Sequence, residues 1–487
     1  MKTKTQVLTI VFLGATLGVA SAQTTQATAK APESAPPTLS STEQAIHDIK
    51  NPTSWLNWGG DFRVRNEYFD NLLTLSRNNP LHEQDYFRFR ARLWATVTPL
   101  EDLSFSARLA AEPREWMKPA GYTPMSGRQG LDMREGIIDN LWVQYANIAG
   151  LPATIKVGRQ DVIPGRDSLA GDGWLLSDGT PSDGSWTYYF DAARFKYELK
   201  EQKTTIEAMG IVQDPKDDAW LPTINNQNLN QGDQREQGAI LQVANSSIKA
   251  ANMALYFIYK NDDRVTLHYP TVGDDADIYT MGGRIHGMLD DHWQYWLEGA
   301  YQIGRKSDTR INFPAPTSSY RDLLAYGFNS KVSYLFKDKM QNRLDLSFEA
   351  LSGDDPDTKR DEMFDSLWGR WPRWSEIGLY STAAEARIGQ QANLYRVGPT
   401  WTVYPVKNLR FSTSYYALFS DRNVATRGAP LFNNDNNFRG HFVSGMLEYT
   451  FSRHMKGHLW SEFLFPGDFY ISQKMMSFLR AEVMFTF

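Results

Sequence analysis

The chain has 487 residues, 22% charged, 41% hydrophobic and 13% aromatic, with no cysteine and a formal net charge of −5. It therefore forms no disulfide, it carries no basic footprint for nucleic acid, and beyond its N-terminus no apolar run of about 18 residues is present, which excludes helical membrane spans. Mean hydropathy is −0.48, a value that still admits a membrane β-barrel, because only alternate strand residues of a barrel face lipid.

Residues 1–22 read as a secretory signal peptide. Lys2 and Lys4 lead, an apolar segment runs from Val7 to Val19, and Ala20-Ser21-Ala22 supplies an A-x-A cleavage site. Residues 23–54 read as a disordered periplasmic leader, since Gln23 to Thr38 is mostly Thr, Ala, Pro and Gln and too poor in bulky apolar groups to fold. Within it, Ser41 to Lys50 allows one helical turn or two.

Residues 55–487 carry one continuous β pattern. Alternation at a period of two marks strands with one apolar and one polar face. It predicts eighteen of them, from Trp58–Phe69 and Asp85–Thr98, through Phe190–Leu199, Thr204–Gln213 and Ala251–Lys260, to Met475–Phe487. Their connections alternate between tight turns, such as Lys200–Lys203 and Asp290–Asp291, and long polar stretches. The long ones include Pro113–Ile138, Asp161–Tyr189, Asp214–Glu236, Gly353–Ala392 and Asp421–Arg439. A soluble sandwich has no reason to sort its loops this way. The pattern predicts an all-β fold, a transmembrane antiparallel β-barrel of about 18 strands with short periplasmic turns and long extracellular loops.

In DYFRFRARLWATV, Asp85 to Val97, the residues Phe87, Phe89, Ala91, Leu93, Ala95 and Val97 share one face. Arg88, Arg90 and Arg92 share the other, about 6.6 Å apart along the strand. Facing lipid, each guanidinium would cost roughly 2–4 kcal/mol near the midplane, so the arginine face is expected inward. Arg63, Arg65, Arg108 and Arg194 repeat the placement on other strands, and Arg159 ends another. Two readings stand. Paired charges keep a barrel wall wet and stiff, with Asp61 and Glu67 as candidate partners, or the arginines guide anions, for which planar guanidinium suits carboxylate oxygens.

The last strand, MMSFLRAEVMFTF, places Leu479, Ala481, Val483, Phe485 and Phe487 on one face with Arg480 and Glu482 between them. An apolar edge strand of this kind would aggregate in water. It suits the closing strand of an outer-membrane barrel, and its terminal aromatic resembles the signal read by the outer-membrane assembly machinery.

Three motif groups carry a resemblance. They are Gly158-Arg159-Gln160 with the Gly179–Gly184 turn and Phe190-Asp191-Ala192-Ala193-Arg194; Leu351-Ser352-Gly353-Asp354 with Phe364-Asp365 and the run Trp368 to Trp374; and Asn393-Leu394-Tyr395-Arg396-Val397-Gly398-Pro399. On these the chain, from about Trp58 onward, resembles the alginate export family of outer-membrane porins. The resemblance implies a monomeric eighteen-stranded barrel in the outer membrane of a Gram-negative cell, without cofactor. Its conduit would pass an anionic polysaccharide or oligosaccharide, with Arg63, Arg65, Arg88, Arg90, Arg92, Arg108, Arg159 and Arg194 as conduit residues. A general or substrate-selective porin for small anions or sugars is the alternative. The long aromatic Gly353–Ala392 stretch leaves a plug or a different cargo open. There Trp368, Trp371 and Trp374, interleaved with Arg370 and Arg373, could stack on sugar rings or anchor the loop. The acidic runs around Asp354–Asp361 and Asp172–Asp183 lack EF-hand spacing, so no metal is expected. With neither G-x-S-x-G nor H-E-x-x-H, and with His286, His441 and His458 isolated, no enzyme is expected.

Overall fold

Period-two alternation becomes a hydrogen-bonded wall of eighteen main strands. They are β1 Leu56–Asp70, β2 Gln84–Leu100, β3 Leu103–Ala111, β4 Gly136–Tyr145, β5 Ala153–Gln160, β6 Phe190–Leu199, β7 Thr204–Gln213, β8 Gln234–Ile248, β9 Ala251–Thr266, β10 Ala276–Met288, β11 Trp293–Ser307, β12 Tyr320–Leu335, β13 Arg343–Leu351, β14 Leu394–Val406, β15 Leu409–Phe419, β16 Phe438–Ser452, β17 Met455–Pro466 and β18 Met476–Thr486. The computed structural model describes residues 41–71, 82–118, 131–132, 136–177, 189–214, 221, 234–266, 271–272, 274–308, 319–369, 373–378, 391–423, 433 and 436–487. The expected signal peptide, most of the leader, the Gly179–Gly184 turn, and Arg370 and Trp371 lie outside the described residues.

Two units are distinguished, residues 1–49 and 50–487. A helix occupies Ser41–Lys50, all but its last residue in the first unit, inside the stretch expected as a disordered leader. Glu43 sits in its first turn, and Gln44 donates to Asp48 at 2.7 Å one turn on.

In the second unit each strand pairs antiparallel with the next, and the wall closes where β1 meets β18, from Asp61 opposite Thr486 to Asp70 opposite Ser477. The chain end joins this seam: Phe487 N–H donates to Gly60 O at 3.1 Å and Gly60 N–H to Phe487 O at 3.4 Å. A Cβ on Gly60 would lie 2.8 Å from the Phe487 ring, so a residue without one is required there. Closure leaves no unpaired edge.

The faces sort as the alternation demands. Phe87 and Leu93 are 37% and 47% exposed on the outside, while Arg88 and Arg90 between them are 2% and 5% exposed within. Exposed aromatics stand near strand ends as well as along the wall, among them Trp293, Phe336, Tyr449 and Phe451 near short turns and Tyr279 and Tyr320 near long loops. An apolar band this extensive is stable only against lipid, and aromatics near strand ends suit its two interfaces.

The lengths between successive strands alternate as expected. Residues 101–102, 200–203, 249–250, 407–408 and 453–454 are tight turns, whereas 112–135, 161–189, 214–233, 352–393 and 420–437 are long.

The lumen and its infolded loops

Two of the long loops do not stay outside. In residues 161–177, Leu169, Ala170, Leu175 and Leu176 are buried, and in 352–378 so are Phe364, Leu367, Trp368 and Ile377. They form one apolar cluster with inward residues of the wall, among them Ile240, Ile258, Ile278, Ala300 and Leu323. The two segments also bind each other: Leu176 bridges Trp368, and Trp174 stacks on Phe364 with ring centroids 5.2 Å apart.

Polar wall residues hold these segments in place. Arg194 donates to Asp167 at 2.8 Å, and Ser168 donates to Glu207 at 2.6 Å. Lys306 donates to Asp365 at 2.8 Å, and Arg321 grips Asp354 with two bonds of 2.7 and 2.9 Å. Within the loops, burial works to raise Asp161, but the Arg108 guanidinium outweighs it and holds the carboxyl below the usual range. Asp361 is pushed up, chiefly by burial and also by Asp354, against the opposing pull of Lys306.

All eight arginines expected as conduit are on the inner face or at its loop end, and each is ion-paired. Arg63 bonds Glu112 at 2.9 Å, Arg65 bonds Glu482 at 2.8 Å, and Arg88 lies 3.3 Å from Glu112. Asp61 serves Arg90 at 3.4 Å and Arg92 at 2.6 Å. Arg108 binds Asp139 at 2.7 Å and Asp161 at 2.8 Å. Arg159 binds Asp191 through two bonds of 3.0 and 3.1 Å, and Arg194 adds Glu207 at 2.7 Å. Asp61 and Glu67 are partners, as the sequence allowed, and Glu112, Glu482, Asp139, Asp161, Asp167, Asp191 and Glu207 join them.

Open space lies elsewhere, along the wall from β11 to β18. There a cavity of about 660 Å³ is bounded by Trp374, Glu376, Arg396, Tyr416, Trp460 and Lys456, among others. Its floor is a tier of small hydroxyl groups: Thr400 faces Ser414 across the ladder, and Ser414 faces Ser444. Thr400 also shares hydrogen bonds of 2.8 Å with Ser414 and with the Tyr416 hydroxyl. Of the lining charges, Arg396 bonds Glu349 at 3.0 Å, and Arg410 pairs with Glu448. Lys331 and Lys456 also line it, and among the described residues neither has a carboxylate within ion-pair distance. The sequence reading passed over both, although Lys331 alternates with Phe328, Ser330 and Val332 in a way that points it inward.

The tryptophans separate. Trp368 is fully buried between loop and wall, so it anchors and meets no solute. Trp374 borders the cavity, edge-on to Tyr416 and Phe442 at 5.6 and 5.0 Å, with the Arg396 guanidinium 5.0 Å above its ring. Among the described residues no group of three His, Cys, Asp or Glu side chains is placed to hold a metal ion.

A family model described as alginate export matches residues 54–482. Among solved structures, the chain superposes on OccAB2 of Acinetobacter baumannii with TM-score 0.54 at 11% identity, covering 88% of this chain and 98% of that one. A BenF-like porin from Pseudomonas fluorescens Pf-5 gives TM-score 0.54 at 11% identity, with 88% and 98% covered. OccK8 (OprE) of Pseudomonas aeruginosa gives 0.52 at 10%, again with 88% and 98% covered. At such identities the likeness is one of fold. Comparison with curated proteins finds no match.

Proposed function

The chain belongs to the alginate export family, and from that premise we propose that it is a passive outer-membrane channel that admits small hydroxylated, acidic solutes one at a time. Its short turns face the periplasm and its long loops the exterior, the usual polarity of bacterial barrels. It works as a single barrel, without a cofactor and without chemistry of its own.

One observation carries this reading: the lumen holds a cavity of about 660 Å³ bounded in part by two infolded segments. That lies within the roughly 300–1,000 Å³ that accommodates a single small molecule. Hydroxyls on its floor can both donate to and accept from a sugar or hydroxy acid, and Lys331 and Lys456 attract a carboxylate. Passage of an anionic polymer is the second reading, favoured by the family's description. It requires the infolded segments to make way for a continuous thread.

Single-channel recording in planar bilayers tests both. The expected result is an open conductance selective for anions, blocked by uronate monomers and dimers at least as well as by polyuronate. Block by polyuronate alone would favour the polymer reading. A silent barrel would overturn both.

A further inference from the structure

The segment Arg373–Gly378 supplies three of the side chains that bound the cavity, Arg373, Trp374 and Glu376. One wall carboxylate takes three of the hydrogen bonds that hold it there. Glu462, on β17 and fully buried, accepts the Ser375 hydroxyl at 2.9 Å and the backbone N–H groups of Glu376 at 3.1 Å and Ile377 at 2.8 Å. The Ser375 hydroxyl in turn accepts Gly378 N–H at 2.8 Å, which folds the segment into a compact turn.

Glu462 differs from its neighbours. Glu482, Glu448 and Glu349 on nearby strands each pair with a wall arginine, Arg65, Arg410 and Arg396 respectively. Directly across the ladder from Glu462 stand Ser444 and Phe478, and among the described residues no cation lies within ion-pair distance of it. A carboxylate removed from water is costly unless donors replace the lost hydration. Here its donors come from the loop. The wall thus keeps an otherwise uncompensated acid whose partners arrive only when the segment is seated. A second tie reinforces the seat, the Glu376 carboxylate 3.0 Å from Arg480.

We propose that Glu462 is a positioning residue for selectivity: it seats Arg373–Gly378 against the wall and so sets the width of the passage and the side chains that a solute meets. Glu462 does not line the cavity, so it acts through the segment and touches no solute. The proposal rests on the channel reading above.

The test uses the full-length protein in planar bilayers and in liposomes swollen with saccharides of increasing length. Glu462→Ala should raise single-channel conductance about twofold or more and admit longer saccharides, because the constricting segment leaves the wall. Glu462→Gln, which keeps one accepting oxygen, should fall between. Folded variant barrels, recognised by a heat-modifiable gel shift, with wild-type conductance and size limit would overturn the proposal. If Glu462→Ala does not assemble, Ser375→Ala weakens the same seat from the loop side and carries the same expectation, and an unchanged size limit there would be equally fatal. A wild-type barrel that is silent while Glu462→Ala conducts would refute the open-channel reading yet support the seating role. Silence in both would overturn both.

Discussion

Arg65 and Glu482 meet across the barrel seam, Nε to Oε2 at 2.8 Å, although 417 residues separate them in sequence. The register of β1 on β18 sets them directly opposite each other. Arg480 bonds Glu67 two residues along, through its Nε at 2.8 Å. First and last strands are thus riveted by crossed ion pairs in a buried setting. Removing Glu482 takes away the shortest bonds of the buried Arg65 guanidinium and leaves it Glu67 at 3.3 Å, a loss that for a broken buried pair costs about 3–5 kcal/mol. Glu482→Ala should therefore lower the urea midpoint of the detergent-solubilised barrel markedly, and Arg65→Leu with Glu482→Leu together should lower it less than either alone. A wild-type midpoint in Glu482→Ala would dismiss the rivet.

Selectivity should follow unpaired charge, not total charge. Arg88, Arg90 and Arg92 have their field cancelled by Glu67, Glu112 and Asp61. Replacing all three with Gln together with Asp61→Asn, Glu67→Gln and Glu112→Gln removes both signs equally, and should leave the reversal potential in a salt gradient nearly unchanged while weakening the fold. Lys331→Gln with Lys456→Gln should move it toward cations. The opposite pair of outcomes would return the conduit to the arginine strand.

How much of this was legible depends on the range of the forces involved. Strand positions follow from local alternation, and Phe190–Leu199 and Thr204–Gln213 coincide with β6 and β7. Where the prediction stopped short, polarity misled it. β9 was expected to end at Lys260, yet the ladder continues to Thr266, because Lys260 pairs inward with Asp262 at 2.9 Å and Glu236 at 3.5 Å. The infolding of the loops was legible only as the plug that the aromatic Gly353–Ala392 stretch left open, and its seating was not. It depends on partners such as Lys306 with Asp365, 59 residues apart, and Glu462 with Ser375, 87 apart, which no local pattern encodes. The early arginines drew attention because they are dense, but density also brings neighbouring carboxylates within reach.

Asp361 supplies a pH dependence. Its carboxyl is raised by burial and by Asp354, so the folded loop favours the protonated form. A group raised in the folded state contributes stability that is fully present below its unfolded value, about 3.9, and is lost as pH rises through the folded one. Asp361→Asn should remove this loss and make the loop at least as resistant to protease at neutral pH as in the wild type. Asp365→Asn should do the reverse, since it leaves Lys306 buried without its 2.8 Å partner. Equal protection in both variants would refute the assignment.

Trp368 and Trp374 lie six residues apart in sequence and should behave as opposites. Trp368 fills the space between loop and wall so tightly that a Cβ on Gly238 would come within 2.7 Å of its ring. Trp368→Ala opens a cavity in that cluster, a change that costs about 3–5 kcal/mol in a packed core. Loop protection against protease should drop accordingly, with conductance rising as the segment loosens. Trp374 is only half-buried and borders open space, so Trp374→Ala gives up less packing than Trp368→Ala, namely its edge contacts to Tyr416 and Phe442 and its Nε1–H bond to Gln391. Its effect should fall on the solute: uronate block should weaken several-fold while loop protection stays near wild type, because a flat indole beside the Arg396 guanidinium offers a ring face and a cation together. If Trp374→Ala leaves block unchanged, the solute passes along another part of the wall, and the hydroxyl tier of Thr400, Ser414 and Ser444 becomes the surface to substitute next.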